Sequence, residues 1–508
     1  MNEEKKKSIL SSASQFLSGT MLSRITGIAR DVSMAMCFGT HPSVAALMMA
    51  FRFSYLLRRL FGDGALHSVF VPQYETCRLQ SAKEGIAFFK SLWLSLSLFL
   101  VLIIILAELF FFSIRPFLSL DSKLVLDLSI SLFPSILFVC SYALNTSLLQ
   151  CHERFFLPAF APCAFNLVWV FAALSLRHLE TTVAMRYMAF YLLIAAIMQW
   201  LVTLIPVLGY LRADPSGMNF KAVKKIAKPL SLAVLGMGAS QINSALDSLF
   251  ARYADLEGPA YLWYAVRIQQ FPLAIIGLAL SQALLPPLSR AASKKGKEFY
   301  QLLNFSLDKS FKGTFVFFSM LFVLAGPSIQ VMYARGDFSE FAAQQTMQCL
   351  WAYLLGLIPS VWVNLLATSL YAEKDYRSPM IASLLSVFSN IVLNAIMVFV
   401  LGMDSISVAL ATSISAFINL FFMLYQQKGA AAMAWKVFIS NASFMLVLIL
   451  ISALTALLGV YCFEDKSFLD KTLQRQGFLQ SLYAFLAELG SFTFLFGIYY
   501  FFYIKKRD

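Results

Sequence analysis

Residues 87–113 read AFFKSLWLSLSLFLVLIIILAELFFFS. The run outlasts the about 20 apolar residues a helix needs to cross a bilayer, and it lacks the polar/apolar alternation of an outer-membrane barrel strand. Runs of the same kind, bounded by charge, Gly or Pro, recur near 9–37, 44–72, 124–150, 158–176, 184–210, 228–252, 259–287, 305–332, 343–371, 379–401, 405–426, 436–461 and 479–504. With the first run they make about fourteen spans. Composition agrees: of 508 residues, 59% are hydrophobic and 13% charged, against roughly 45–50% and about 25% in soluble chains. The reading is an all-α polytopic membrane protein.

The formal net charge is +13. Its Lys and Arg residues are dispersed in short loops, so the excess is a topology signal and no nucleic-acid partner is expected. An even number of spans puts both termini on one side, and both are basic: Lys5 to Lys7 at the start, Lys505 to Arg507 at the end. The segments that would share that side hold Arg78, Lys83, Arg154, Arg212, Lys221, Lys224, Lys225, Lys228, Arg290, Lys294, Lys295, Lys297, Lys374, Arg377 and Lys428. The opposite loops hold fewer basic residues, and the positive-inside rule then makes both termini cytoplasmic. The first helix has no small-residue cleavage site after a short apolar region and is expected to stay attached. Seven cysteines without a CxxC pair support neither a disulfide framework nor a thiolate metal site.

Two short matches suggest an internal repeat. Ala50-Phe51-Arg52 before Pro72 echoes Ala265-Val266-Arg267 before Pro287, and Thr146-Ser147-Leu148 before Pro158 echoes Thr368-Ser369-Leu370 before Pro379. Six spans separate the copies, so the halves would be parallel repeats about an axis along the membrane normal. The division expected is 1–212 (spans 1–6), 213–430 (spans 7–12) and a C-terminal helix pair at 431–508.

Charges within the spans carry the functional signal. Span 1 holds Arg24, Arg30 and Asp31; span 2 holds Arg52, Arg58, Arg59 and Asp63; span 7 holds Asp247; span 8 holds Arg267. Each costs roughly 2.5–3.5 kcal/mol at mid-membrane, so several buried arginines need water, partners or a ligand. At 3.6 residues per turn Arg24, Gly27 and Arg30 share an arc of about 120°, with the glycine leaving room for something to approach. Arg52, Arg59 and Asp63 lie within about 40°, while Arg58 points about 120° away. Gly62 and Gly64 can bend the helix beside Asp63, and an arginine near a span end can also snorkel to the headgroups. Arginines with few carboxylates select an anion, and guanidinium forks suit phosphate oxygens.

The strings RITGIARD (24–31), FRFSYLLRRLFGDGALHSVFVPQY (51–74) and YAVRIQQFPLAIIGLALSQALLPPLSR (264–290), with ARGDFS at 334–339 and LYAEKDYRSP at 370–379, resemble the MurJ (MviN) family of bacterial lipid II flippases. The resemblance implies a MATE-like fold of two six-helix lobes plus two C-terminal helices, and a cationic central cavity for the pyrophosphate of the undecaprenyl-linked precursor. The matching residues are Arg24, Arg30, Asp31, Arg58, Asp63 and Arg267; Arg52 joins them on the charge argument alone. The C-terminal pair implies a hydrophobic path for the lipid tail. Ala45, Val266 and Gln270 stand where many members carry acids, which makes the cavity more positive and weakens any salt-bridge switch through those positions. Some members also bind sodium, and the resembling positions are Asp247, Asn390, Asn394 and Thr412. Two asparagines at i, i+4 on one helix serve equally as interhelical hydrogen-bond partners.

The function expected is translocation of lipid II from the cytoplasmic to the periplasmic leaflet of the bacterial inner membrane by alternating access. It needs no cofactor beyond Na+ as a candidate coupling ion, and the chain is expected to be a monomer beside cell-wall synthesis proteins. The rivals are an exporter of another polyprenyl-linked oligosaccharide, a membrane enzyme acting on polyprenyl phosphates, and a non-transporting scaffold. The enzyme would need an acid/base pair or a carboxylate cluster for a metal at one membrane face, and the sequence offers neither.

Overall fold

The computed structural model describes residues 3–61, 65–213, 217–278, 297–464 and 477–500, with scattered positions between 280 and 291. Among them all regular structure is helical. Eight helices are long and apolar enough to cross a membrane, or ten if each of two bent pairs is one span. The runs near 9–37, 44–72, 228–252 and 259–287 are not in that set, and these are the runs that hold Arg24, Arg30, Asp31, Arg52, Asp247 and Arg267.

The chain forms two compact units, Met1–Leu249 and Phe250–Asp508. The first comprises α1 (Glu3–Phe38), α2 (Pro42–Phe61), α3 (Ala65–Gln80), α4 (Ala82–Ile114), α5 (Leu120–Leu132), α6 (Ser135–Cys151), α7 (Phe156–Leu176), α8 (Thr181–Ala213) and most of α9 (Phe220–Ala254). The break falls within α9 because its start belongs to the first unit: Ala222 and Ile226 are buried in a core with Phe70, Tyr74, Phe88, Phe89 and Leu144.

Local chemistry sets these elements. The Ser81 hydroxyl caps α4 by accepting from the Lys83 N–H at 3.2 Å, and Glu84 in the first turn suits the positive end of the helix dipole. Further along, Leu98, Phe99, Leu102, Ile105, Leu109 and Phe110 are exposed on the outer face, as a lipid-facing helix requires. The α5–α6 pair bends by 43° at Phe133-Pro134, where proline removes a helix donor and crowds the preceding turn. α1 packs along α7, and Gly19 sets how closely: a Cβ there would lie 2.8 Å from the Ala159 Cβ and 3.0 Å from the Phe156 carbonyl oxygen. Small residues at such crossings let helices pack where lipid supplies no hydrophobic drive.

The second unit continues with α10 (Gly258–Pro272), which runs into a π-helical turn, Leu273–Leu278. Then come α11 (Lys297–Met332), α12 (Glu340–Leu355), α13 (Leu357–Ala372), α14 (Arg377–Ala395), α15 (Ile406–Gln426), α16 (Ala430–Ser440), α17 (Ala442–Glu464) and α18 (Gly477–Tyr499). Its core joins Leu307, Phe311 and Phe315 of α11 to Trp362 and Leu366 of α13, and it includes Phe444, Leu448 and Ile451 of α17 and Phe492 of α18. The C-terminal helices are thus built into this unit. α16 and α17 bend by 51° around Asn441, whose amide donates to the Val437 carbonyl and to Asp308 Oδ1, both at 2.8 Å.

Candidate functional site

In the first unit the site is built on α1 and α7. Arg30 donates from Nε and Nη2 to Asp31 Oδ1 at 3.0 and 2.9 Å, and from Nη1 to Asn166 Oδ1 at 3.1 Å. Its guanidinium lies over the Trp169 ring, 5.0 Å from the centroid. Both members of the ion pair are nearly enclosed, with side-chain exposures of 12% for Arg30 and 8% for Asp31. Three of the five guanidinium N–H donors are committed in this way.

Asn166 does a second job. Its Nδ2 donates to the Ser23 carbonyl and to Thr26 Oγ1, both at 3.1 Å. Gly27 faces this amide, with Nδ2 3.6 Å from where a Cβ would stand. The room that the glycine leaves on α1 is therefore taken by Asn166. Trp169 is anchored in turn: its indole N–H donates to Met34 Sδ at 3.4 Å, and its ring meets Phe51 edge-on at 5.1 Å. Asn166 and Trp169 share a face at i, i+3, so one face of α7 orients the arginine.

Sequence reading passed over both, because Asn166 is a lone amide in the apolar run 158–176. The available signal was the cost of that amide in lipid, which demands a partner. Arg24, six residues before Arg30, is exposed.

Arg52, on α2, is engaged elsewhere. Its Nη1 donates to Ser248 Oγ at 2.8 Å and to the Ser244 carbonyl at 3.4 Å, both on α9. Ser248 is fully buried and its neighbour Asp247 is 5% exposed. The backbone of α2 includes Arg58 and Arg59; their side chains, and Asp63, lie outside the described residues.

In the second unit, Arg267 on α10 stacks its guanidinium over Trp263 at 4.4 Å, and that indole is buried. Arg30 and Arg267, each within its own unit, are thus both held against a tryptophan face, an arrangement that orients a guanidinium without neutralising it.

Of the sodium-site candidates, the second unit brings together Asn390, Asn394 and Thr412. Asn394 Nδ2 donates to Asn390 Oδ1 at 2.8 Å, Asn390 Nδ2 to Thr412 Oγ1 at 3.3 Å, and Thr412 Oγ1 to the Val408 carbonyl at 2.9 Å. Both asparagines are fully buried. Asp247 belongs to the first unit, where Asn243 Nδ2 approaches its Oδ2 at 3.4 Å. Amide, hydroxyl and carboxylate oxygens are the hard donors a small cation takes. Among the described residues no three His, Cys, Asp or Glu side chains cluster as a metal site.

The fold defines a class: a multi-span helical membrane protein. Its fold is similar to that of a solved inward-facing multidrug resistance MATE family transporter of the MOP superfamily, at a TM-score of 0.64 and 11% identity, covering 83% of this chain and 98% of that one. The family model for the lipid II flippase MurJ matches residues 34–471, and the chain belongs to that family. The match begins just past Arg24, Arg30 and Asp31. A probable lipid II flippase MurJ of Chlamydia muridarum is 32% identical over 430 residues, 84% of this chain and 80% of its own length. The Chlamydia trachomatis counterpart is 31% identical over 465 residues, 90% and 86%. A structure of lipid II flippase MurJ in an inward closed conformation matches at a TM-score of 0.74 with 26% identity, covering 96% of this chain and 98% of that one.

Proposed function

We propose that this chain is the lipid II flippase of a bacterial inner membrane, a transporter and not an enzyme. The observation that carries the mechanism is the enclosed Arg30, oriented by Asp31, Asn166 and Trp169 on the packed helices α1 and α7. An enclosed guanidinium with two N–H donors outside those bonds is suited to a phosphate oxygen, and charge-assisted bonds of this type are about twice as strong as neutral ones. The pyrophosphate of lipid II is the proposed ligand. Asp31 would balance the arginine while no cargo is bound, and an arriving pyrophosphate would compete with it for the same fork. Arg24, Arg52, Arg58, Asp63 and Arg267 are proposed as further substrate-contacting or supporting charges.

The finer architecture belongs to the same proposal: about fourteen spans, a division at 1–212, 213–430 and 431–508, two six-helix lobes related as parallel repeats, and both termini in the cytoplasm. Alternating access would follow from headgroup binding that relieves repulsion among the arginines and favours one state over the other. Reset by sodium at Asp247, Asn390, Asn394 and Thr412, or by the membrane potential at about 2.3 kcal/mol per charge per 100 mV, completes the cycle. The working unit is proposed to be a monomer that meets cell-wall synthesis proteins in the membrane.

The test is lipid II exposure on the outer leaflet, read with a periplasm-restricted probe in cells depleted of their own flippase. Restoration by the wild type, and none by Arg30→Ala present at equal membrane level, is the expected result. Full restoration by Arg30→Ala would contradict the arginine mechanism. No restoration by an inserted wild type would favour another polyprenyl-linked oligosaccharide as cargo.

A further inference from the structure

Where α11 ends and α12 and α18 begin, the second unit holds a cavity of about 570 Å³, lined by none of the arginines described above. Small residues cut back its walls: Gly326 on α11, Ala343 on α12 and Ala484 on α18. Gly326 also lets α12 come close, since a Cβ there would lie 3.2 Å from Met347 Sδ. The apolar spans that meet here end at Met332 and start at Glu340 and Ser481. The cavity therefore stands where helices pass from hydrocarbon to the headgroup layer.

Its polar lining has a sign. Gln330, Glu340, Gln344 and Ser481 face it, and among the described residues no Lys, Arg or His does. Arg335, close along the chain, turns its Nη2 back onto the Val331 carbonyl of α11. Among the described residues the side chains of Gln330, Glu340 and Gln344 are engaged by no hydrogen bond or ion pair. The span Ser481–Tyr499 carries a single charged residue, Glu488. It shares the α18 face of Ser481 and Ala484, one turn beyond Ala484. A carboxylate within a span is costly unless water or a cation reaches it.

We propose that this cavity takes the headgroup of an aminophospholipid, phosphatidylethanolamine, with its ammonium donating to Glu340 and the Gln330 and Gln344 amides donating to its phosphate. An ammonium offers three donors and a glutamine amide two, so each group meets a partner it can satisfy. The volume lies within the range of about 300–1,000 Å³ usual for small-ligand sites. Met347 and Ala484 give the first acyl carbons an apolar wall. The flank of the site is open to lipid, since Tyr483 and Leu486 of α18 are 56% and 51% exposed. Glu340 also suits the positive end of the α12 dipole, beside the Ser339 hydroxyl that accepts from the Ala342 N–H at 3.1 Å. That role accounts for the acid but not for the cavity or its two amides, and a water-soluble amine would leave the apolar wall uncovered.

In detergent micelles the purified chain is irradiated with a trace of phosphatidylethanolamine bearing a diazirine on its first acyl carbons, and labelling is read in peptides covering 326–347 and 477–490. Unlabelled phosphatidylethanolamine is expected to compete about threefold better than phosphatidylcholine, whose quaternary ammonium has no N–H to donate; the ratio is modest because Glu340 is exposed. Glu340→Gln should bring the ratio close to one. Glu180→Gln, which removes an exposed acid in the first unit, should leave it unchanged.

A second variant tests the space and not the charge. Ala484→Leu puts a larger side chain in the cavity wall and should cut labelling of the same peptides at least about threefold. Equal competition by the two lipids, a preference that survives Glu340→Gln, an equal loss in Glu180→Gln, undiminished labelling of Ala484→Leu, or equally good competition by free ethanolamine would overturn the proposal. None of these measurements involves lipid II, so they stand or fall apart from the transport reading.

Discussion

Arg30 shows how one residue can be charged, enclosed and still serviceable. Asp31 supplies the countercharge, Asn166 a neutral acceptor and Trp169 a π face. The two α7 residues orient the guanidinium without cancelling its charge. Asn166→Ala removes hydrogen bonds to Arg30, Ser23 and Thr26, and should cost about 1–3 kcal/mol in thermal stability in detergent. Asn166→Asp keeps an acceptor for Arg30 but places a second carboxylate beside it. It also turns an acceptor toward the Ser23 carbonyl, so it should lose stability as well; its folded fraction should bind lipid II more weakly, and unchanged binding in a titration would argue that Arg30 does not meet the pyrophosphate. Arg30→Lys should not rescue function, because an ammonium cannot make the forked contacts.

At the scale of the element, close crossings and turn chemistry decide where helices begin and how near they lie. Gly19→Val would press a side chain into Ala159 and the Phe156 carbonyl. It should push α1 from α7 and lower stability by about 1–3 kcal/mol, measured as a thermal shift. Ahead of α14, Asp375 Oδ1 accepts from the backbone N–H groups of Arg377 and Ser378, both at 3.0 Å. Bonding from Ser378, side chain first, holds the Asp375 carboxyl below its ordinary range. A depressed carboxyl stabilises the fold fully above the ordinary carboxylate range and loses that contribution as pH falls through its folded value. The stability gap between wild type and Asp375→Ala, about 1 kcal/mol at most near neutral pH, should therefore close in strong acid.

Helix breaks were unevenly legible. Pro134 marks the 43° bend in the sequence, whereas the 51° bend at Asn441 depends on a tertiary contact to Asp308. Hydropathy alone located α4, α7, α8, α14 and α15, since a continuous apolar run has one outcome in a bilayer. The charges of α1, α2 and α10 marked them in the sequence as candidates for the site. Asn166 and Trp169 were not legible as a pair, because their meaning lies in a packing partner 136 residues away from Asn166.

For the whole molecule, the helices that hold Arg24, Arg30, Arg52 and Arg267 fall outside the set apolar enough to cross a membrane, and in the first unit α1 and α7 share the burden of Arg30 through side-chain contacts. The C-terminal helices have a structural role in the second unit. Phe444, Leu448, Ile451 and Phe492 fill the core around Phe311 and Trp362, and Asn441 holds Asp308. Removing 431–508 should therefore abolish the fold of that unit, seen as rapid proteolysis in membranes; a stable, protease-resistant truncation would contradict this.

The central claim is that the enclosed Arg30 takes the pyrophosphate of lipid II. The most direct measurement compares binding of lipid II, and of a neutral polyprenol-linked saccharide lacking the pyrophosphate, to the purified wild type and to Arg30→Gln. The account predicts that the wild type prefers lipid II and that Arg30→Gln loses about tenfold of that affinity, close to 1.4 kcal/mol, with binding of the neutral lipid unchanged. Equal binding of lipid II by the wild type and a folded Arg30→Gln variant would contradict it.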